Sequence, residues 1–208
     1  MRSDYEAVNL LQKESENDPF TEDRYVQFAR LLPESCRNIL DVGCNTGRGG
    51  VVLKRMNPSF SLCGLDCVES RLERLPESYT EKLLGISTEI PTEDEKYDAI
   101  TAGEFIEHLT PLDVDRTLCE FFRVLKVGGR LLLTTPNPSG IMFRLRKKVS
   151  FGWESLSQHH ADCLRLRLRM TGFSNVKIYG SGKSSRYIGT HFPLRSFYGS
   201  YLISATKW

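Results

Sequence analysis

Short apolar runs alternate with helical patterns along the chain from about residue 37 onward. An apolar run of about four to eight residues predicts a buried strand, and apolar residues spaced i, i+3, i+4 and i+7 predict an amphipathic helix. The runs that predict strands are Ile39–Val42, Phe60–Leu65, Leu83–Ile86, Tyr97–Thr101 and Arg130–Thr135. Two helices are predicted between these strands. The first is Arg48–Met56, and the second contains Leu118, Phe121, Phe122 and Leu125 at helical spacing. Gly128 and Gly129 are predicted to end the second helix. Strands separated by helices favour βαβ units and a mostly parallel sheet.

The last part of the chain follows a different pattern. Val176–Tyr179 and Tyr201–Ala205 predict two strands with only a loop between them, which adds an antiparallel edge to the sheet. Residues 163–170 alternate Leu and Arg as a strand would, but they precede a Gly172 turn that is typical of a helix end, so we predict a helix. The whole pattern predicts an α/β fold, a doubly wound, mostly parallel, seven-stranded, Rossmann-like sheet with an antiparallel C-terminal strand.

Two segments lie outside this alternation. Tyr25–Leu32 predicts a helix before the first strand, and residues 136–160 form a long stretch without clear periodicity. Long irregular insertions in compact domains are often lids or binding loops. The insertion carries Arg144, Arg146, Lys147 and Lys148 beside Ile141, Met142 and Phe143, and Trp153 follows them. This run is interpreted either as a solvated face or as a contact for a phosphate, an acceptor or a membrane surface. Trp153 is interpreted either as a core residue or as a platform on which a sugar or base stacks.

The composition is that of an ordinary globular protein of 208 residues, and the formal net charge of +2 argues against a broad nucleic-acid-binding surface. Charged residues occupy the first positions, where a signal peptide needs an apolar stretch. No apolar run reaches the ~20 residues of a membrane helix. The six cysteines form no CxxC pair, which favours free thiols in a reducing cytoplasm over a zinc site. We therefore expect a cytoplasmic protein without a transmembrane segment.

The most informative motif is the sequence ILDVGCNTGRGG at residues 39–50, where a strand runs directly into a glycine-bearing turn and a helix. Gly43 and Gly47 allow positive φ and a close approach of backbone to a ligand. Their spacing is neither that of a dinucleotide fingerprint nor that of a P-loop. Asp66 closes the second strand, where an acidic residue in a nucleoside-binding α/β fold accepts hydrogen bonds from both ribose hydroxyls.

These motifs resemble those of class I S-adenosylmethionine-dependent methyltransferases. Their first motif is similar to ILDVGCNTG, and their acidic second motif to GLDCVES, through Asp66. Their later motifs resemble residues 97–100, 104–109 and 123–129. The resemblance implies that the methionine part of the cofactor is surrounded by Asp41, Gly43, Cys44, Asn45 and Gly47. It also implies that Asp66 holds the ribose, Cys67 lies against the adenine, Ile86 and Ser87 follow its edge, and Glu104 touches the cofactor. Many relatives have an aspartate where this chain has Ile86, so adenine recognition departs from the family pattern.

Glu104, Glu107 and His108 are spaced to share one face of a helical turn, and His159 and His160 follow some fifty residues later. The set resembles the ExxEH…H arrangement of metal-dependent methyltransferases, including small-RNA 2′-O-methyltransferases and ubiquinone-pathway O-methyltransferases. That resemblance implies a divalent ion such as Mg²⁺ on Glu104, Glu107, His108 and His160. The alternative is a metal-free enzyme in which His108 or His160 is the general base, with His191 a weaker candidate.

The resulting hypothesis is a single-domain methyltransferase over residues 1–208, in which residues 1–36 and 136–160 cap the acceptor site. It would O-methylate a hydroxyl of a small molecule or glycan, with Glu107, His108 and His160 as the catalytic candidates. Nucleic acid is a less favoured partner. The alternatives are a metal-independent N- or C-methyltransferase and a non-catalytic subunit with this fold; a nicotinamide dehydrogenase is disfavoured by the glycine spacing.

Overall fold

The computed structural model describes residues 2–10, 18–141 and 156–208. Seven strands form one sheet in the order β3-β2-β1-β4-β5-β7-β6. Strands β1 to β5 run parallel, and β7 lies antiparallel between β5 and β6. The strands are β1 Asn38–Val42, β2 Ser61–Asp66, β3 Tyr79–Leu84, β4 Tyr97–Gly103, β5 Leu125–Pro136, β6 Phe173–Ser181 and β7 Ser200–Lys207. The predicted doubly wound α/β fold with an antiparallel C-terminal strand is confirmed.

Helices cover both faces of the sheet. They are α1 Arg2–Leu10, α2 Thr21–Leu31, α3 Arg48–Met56, α4 Glu69–Glu73, α5 Pro111–Val124, α6 Ala161–Thr171 and α7 Ser185–Ile188, with 3-10 turns at Ile106–His108 and Arg195–Phe197. Consecutive residues of β1 enter opposite apolar clusters: Ile39 packs with Phe28 of α2, and Leu40 with Phe121 of α5. Because both faces of the sheet are buried there, β1, β2 and β4 consist mostly of buried residues, as their apolar runs suggest.

Two predicted boundaries are wrong. Helix α5 ends at Val124, and Gly128 and Gly129 lie within β5 instead of ending the helix. Tyr97 of β4 pairs with Leu125 and Ala99 with Arg130, so residues 126–129 bulge out of the ladder, which the positive φ of Gly128 (+80°) permits.

The third strand begins and ends earlier than predicted, at Tyr79–Leu84 instead of Leu83–Ile86. Tyr79 is buried and pairs with Leu62 of β2, whereas Ile86 forms only an isolated bridge with Glu89. The polar residues between Tyr79 and Leu83 weaken the strand pattern.

Residues 163–170 are helical, as predicted. In α6 the buried residues are Ala161, Leu164 and Leu168, at helical spacing, while Leu166 is exposed. Gly172, with φ of +113°, ends the helix. The period-two alternation therefore has no counterpart in burial. The described part of the chain contains no helix long and apolar enough to cross a membrane.

Candidate active site

One cavity of about 1010 Å³ opens at the carboxyl ends of β1, β2 and β4. This is the edge of a doubly wound sheet where ligands usually bind. Most of the residues predicted to hold the cofactor line it: Gly43, Cys44, Asn45, Asp66, Cys67, Ile86, Ser87 and Glu104. Glu107 and His108 line it too. Asp41, Gly47, His160 and His191 are outside the lining formed by the described residues.

The loop after β1 is held by backbone hydrogen bonds to the end of β2. The amides of Gly43 and Cys44 both donate to the carbonyl of Leu65, at 2.9 and 3.2 Å. Gly43 has a positive φ of +64°, and a Cβ at this position would lie 2.6 Å from Cδ2 of Phe105. Only glycine therefore fits between the loop and the segment that follows β4.

Asp66 lies at the end of β2 beside this loop. Its Oδ2 accepts a hydrogen bond from the Asn45 amide at 3.0 Å, and its Oδ1 accepts one from the Val68 amide at 2.9 Å. Burial raises the pKa of the Asp66 carboxyl, and these amides, with Arg71 at 3.9 Å, oppose that rise. Each carboxylate oxygen keeps a lone pair, so the side chain can still accept hydrogen bonds from a diol in the cavity.

Asp41 lies behind the loop and is fully buried. Its carboxylate accepts hydrogen bonds from the hydroxyls of Tyr25 (2.6 Å), Tyr79 (2.5 Å) and Thr101 (2.9 Å). In turn, the Tyr79 hydroxyl accepts a hydrogen bond from the amide of Gly50 at 3.0 Å. This buried network ties α2, α3, β3 and β4 to the base of the loop. Its tyrosines were not predicted, because nothing local in the sequence links positions so far apart.

The network also explains two further glycines of the motif. A Cβ on Gly49 would lie 2.1 Å from the Tyr25 ring, and one on Gly50 would lie 2.4 Å from the Tyr79 ring. Both distances are far below contact, so the glycine pair in α3 is required by the packing of the two tyrosines.

Glu104 follows β4 in a left-handed backbone conformation, with φ of +50°. Its amide donates to both the carbonyl (3.1 Å) and Oγ1 (2.9 Å) of Thr134. Its buried Oε1 has no hydrogen-bond donor within the described residues, and Nη2 of Arg24 lies 3.8 Å away. Strained conformations of this kind are often found at functional sites. The cavity thus holds an acceptor atom that a ligand donor could satisfy.

Glu107 and His108 lie in a 3-10 turn. The Glu107 side chain is buried and accepts a hydrogen bond from the Thr135 hydroxyl at 3.2 Å. Burial, and then the neighbouring Glu104 carboxylate, raise the pKa of Glu107 well above its usual range. His108 is half-buried at the cavity wall.

The two later histidines differ in environment. His160 is exposed at the start of α6, with Nδ1 3.3 Å from the Ser139 hydroxyl. His159 is buried and its Nε2 lies 2.8 Å from the Ser157 hydroxyl, and burial lowers the pKa of its imidazole. His191 is exposed, and its ring packs edge-on against Tyr179.

The structure does not support the predicted metal site. Within residues 2–10, 18–141 and 156–208, no three His, Cys, Asp or Glu side chains are grouped so that they could hold a metal ion. Glu104 instead has Arg24 as a cationic neighbour, and His160 is at an exposed helix start. Two members of the predicted set therefore have other surroundings.

The rim of the cavity includes residues that sequence reasoning missed. Tyr5 and Asn9 of α1 line it, and so do Lys183 and Ser200 near the ends of β6 and β7. The Tyr5 hydroxyl donates to Asp113 at 2.6 Å. These segments are remote in sequence, which left no local signal. The basic run 144–148, Met142, Phe143 and Trp153 are outside the described residues.

The fold is similar to that of solved S-adenosylmethionine-dependent methyltransferases. A profile of the family described as "Methyltransferase domain" matches residues 40–133, which contain most of β1, all of β2 to β4 and α3 to α5, and most of β5. A solved S-adenosylmethionine-dependent methyltransferase of Thermotoga maritima, described as a possible histamine N-methyltransferase, superposes with a TM-score of 0.76. It is 21% identical and covers 98% of this chain and 100% of its own.

Curated relatives resemble the chain over the same region. A demethylmenaquinone methyltransferase of Deinococcus radiodurans is 34% identical over 133 residues, or 59% of this chain and 54% of its own. A mitochondrial ubiquinone biosynthesis O-methyltransferase of Mus musculus is 29% identical over 54% of this chain and 32% of its own. This chain therefore spans about half or less of the length of these relatives. The comparisons support the prediction of an S-adenosylmethionine-dependent enzyme.

Proposed function

We propose that this chain transfers the methyl group of S-adenosylmethionine to a hydroxyl-bearing small molecule, with His108 as the general base. One observation carries the proposal: a single cavity is lined both by Gly43 and Asp66 and by His108. A glycine-bearing loop beside a buried carboxylate suits a nucleoside with an aminoacyl tail, and an imidazole can accept a proton from an acceptor hydroxyl.

The residues present fit this cofactor. The loop from Gly43 to Gly47 would receive the aminoacyl part. Glu104 Oε1 is buried, the described residues supply no donor to it, and it would accept a hydrogen bond there. Asp66 would hold the ribose diol. Cys67, Ile86 and Ser87 would surround the adenine, with the Ser87 hydroxyl already 2.7 Å from that of Thr117. Bound S-adenosylmethionine supplies a methyl group activated by its sulfonium.

The remaining work of the protein is to position the acceptor, exclude water and accept a proton. His108 lines the cavity and would take the hydroxyl proton, so that the electron pair left behind can attack the methyl carbon. Burial and the neighbouring Glu104 carboxylate raise the pKa of Glu107, which favours its protonated form and suits a positioning role better than that of a base. The Arg24 guanidinium offsets the charge of Glu104.

A second candidate is methylation at carbon. When a ring hydroxyl loses its proton, the electron pair is shared with conjugated ring carbons, so the same base can serve attack through oxygen or through carbon. The demethylmenaquinone relative favours carbon, and the ubiquinone O-methyltransferase relative favours oxygen. A glycan hydroxyl remains a further acceptor class, and it can react only at oxygen.

Calorimetry with S-adenosylmethionine tests the cofactor assignment. We expect Asp66→Ala to weaken binding about 100-fold, because two charge-assisted hydrogen bonds are lost, while His108→Ala leaves it within a factor of about three. A wild-type protein that binds a nicotinamide dinucleotide instead, or neither ligand, would contradict the proposal.

Turnover of a panel of phenols, quinols and sugars tests the reaction. We expect His108→Ala to lower kcat by about 10²–10⁴-fold on the accepted substrate, and magnetic resonance of the product locates the new methyl group on oxygen or carbon. If a chelator abolished activity and Mg²⁺ restored it, the hypothesis that His108 acts as the base without a metal ion would be wrong. Unchanged kcat in His108→Ala would remove His108 from this role.

A further inference from the structure

The connection between β6 and β7, residues 182–199, exposes an unusual number of large apolar side chains. They are Tyr187, Ile188, Phe192, Leu194 and Phe197, with Tyr187 79% and Leu194 55% exposed. Phe192 and Phe197 pack edge-to-face with ring centroids 5.7 Å apart. Exposed apolar side chains grouped in one segment often mark a site of interaction.

This connection is held in place from below. Tyr198 is buried, and its hydroxyl donates to the carbonyl of Gly189 at 2.7 Å and accepts from the amide of Phe192 at 2.8 Å. Asn137 is fully buried, and its Nδ2 donates to the carbonyls of Arg195 (3.0 Å) and Tyr198 (2.9 Å). Two buried side chains thus fix the backbone, so the apolar side chains are presented outward on a shaped loop.

All charged side chains of the connection are basic. Residues 182–199 contain Lys183, Arg186 and Arg195 and no Asp or Glu. Arg186 is paired with Asp23 of α2. Arg195 has Asp162 at 3.5 Å, but Asp162 is shared with Arg165 at 3.1 Å, so one positive charge is left over there. The connection that carries the apolar side chains is therefore net positive.

The connection also borders the cavity. Gly182, Lys183 and Gly199, at its two ends, line the cavity wall. A surface that met the apolar side chains would lie beside the cavity mouth.

We propose that residues 182–199 dock this protein on an anionic lipid surface. Aromatic rings and aliphatic side chains with neighbouring cations are the combination that binds the interface of a bilayer. Self-association through this face would bring like charges together. Single-stranded nucleic acid would use the cations and rings, but it would leave Ile188 and Leu194 exposed.

Flotation with lipid vesicles tests the proposal on the full chain. We expect the wild type to bind vesicles of phosphatidylcholine mixed with phosphatidylglycerol at least about tenfold more tightly than vesicles of phosphatidylcholine alone. The double variant Phe192→Ser/Phe197→Ser should weaken binding to the mixed vesicles at least about tenfold. Arg195→Glu should weaken binding to the mixed vesicles and leave binding to vesicles of phosphatidylcholine alone unchanged.

The matched control changes exposed apolar residues elsewhere. Leu166 and Met170 of α6 are 59% and 79% exposed, and Leu166→Ser/Met170→Ser should bind vesicles like the wild type. Phe197→Trp should retain binding, with an indole emission that shifts to shorter wavelength on the mixed vesicles.

Three outcomes would overturn the proposal: no vesicle binding by the wild type, equal weakening by both double variants, or a concentration-dependent dimer that Phe192→Ser/Phe197→Ser abolishes while vesicles are ignored. Displacement from vesicles by a single-stranded oligonucleotide at equal affinity would assign the face to nucleic acid instead. The assay needs neither cofactor nor acceptor, so its failure is distinguishable from failure of the proposed function.

Discussion

The floor and the rim of the cavity are built in different ways. The floor consists of the segments that follow β1, β2 and β4, and its contacts are backbone hydrogen bonds and a buried carboxylate network. The rim consists of α1 and the 182–199 connection, which attach mainly through side chains from remote parts of the chain. A Cβ on Gly43 of the floor would overlap Phe105, whereas one on Gly199 of the rim would meet no atom of the described residues within 4 Å.

This difference in packing indicates which part of the site can tolerate substitution. A floor with no spare volume holds one shape of ligand, because any added atom must displace backbone or a buried ring. A rim with space can accept different side chains and so different acceptors. Substitutions that probe the two parts should therefore differ in magnitude.

The largest effect is expected at Asp41. Asp41→Ala leaves the hydroxyls of Tyr25, Tyr79 and Thr101 buried without their acceptor, and we expect the free energy of unfolding to fall by about 3–5 kcal/mol. Urea denaturation followed by circular dichroism measures it. Thr101→Val removes one of the three hydroxyls and should cost about 1 kcal/mol. A loss below about 1 kcal/mol in Asp41→Ala would show that the network does not hold the floor.

A matched pair of glycines separates floor from rim directly. Gly49→Ala places a Cβ 2.1 Å from the Tyr25 ring, and we expect it to lower the free energy of unfolding by about 2–3 kcal/mol. Gly199→Ala, which has open space, should change it by less than about 0.5 kcal/mol. The same denaturation experiment compares both variants. If the two glycines tolerate alanine equally, the contrast in packing between floor and rim is wrong.

Glu107 adds a pH dependence to the floor. The pKa of Glu107 is raised in the folded state above its ordinary value near 4.5 in the unfolded chain, so over the pH range between these two values only the folded state keeps the proton. The free energy of unfolding therefore falls as the pH rises through that range. Glu107→Gln should abolish this contribution, which is at most about 1.4 kcal/mol per pH unit. Thermal unfolding across that pH range measures it. The variant should gain most stability relative to the wild type at the alkaline end, and parallel curves would contradict the argument.

The smallest effect is expected at the rim. Tyr5→Phe removes the hydrogen bond that the hydroxyl donates to Asp113 and the one that it accepts from the Thr110 amide, and together we expect them to contribute about 0.5–1 kcal/mol. Hydrogen–deuterium exchange should speed up in α1 and stay unchanged in α5. Tyr187→Phe, at a highly exposed tyrosine, is the control and should leave both helices as in the wild type. Equal exchange in α1 of Tyr5→Phe and wild type would mean that other contacts hold α1.

Much of the fold was predictable because its signals are local. The alternation of apolar runs and helical patterns placed the strands of the parallel sheet, and the switch to adjacent strands placed the antiparallel pair. The errors also have local causes. Gly128 and Gly129 are typical helix-ending residues, but a bulge in β5 uses the same left-handed geometry. The polar residues within Tyr79–Leu84 hide a strand whose first residue is anchored by Asp41.

The candidate site divides in the same manner. Gly43 follows β1 and Asp66 is the last residue of β2. Because parallel strands bring their carboxyl ends together, the meeting of the two residues in one cavity could be predicted. The prediction that Glu104, Glu107, His108 and His160 share a metal depended on a match in sequence spacing. Spacing along the chain does not specify that Glu107 is buried against Thr135 or that His160 is exposed at a helix start.

Most of the strands, and the glycine turn with its downstream acid, follow from the sequence alone, because these features depend on residues close together along the chain. Other features are visible only in the folded chain. Tyr25 and Tyr79 both bind Asp41, and Arg24 lies near Glu104. The apolar connection 182–199 borders the cavity. Such contacts join residues far apart in sequence. Their formation depends on how whole elements pack, since a buried polar group is satisfied by whichever partner the packing brings to it.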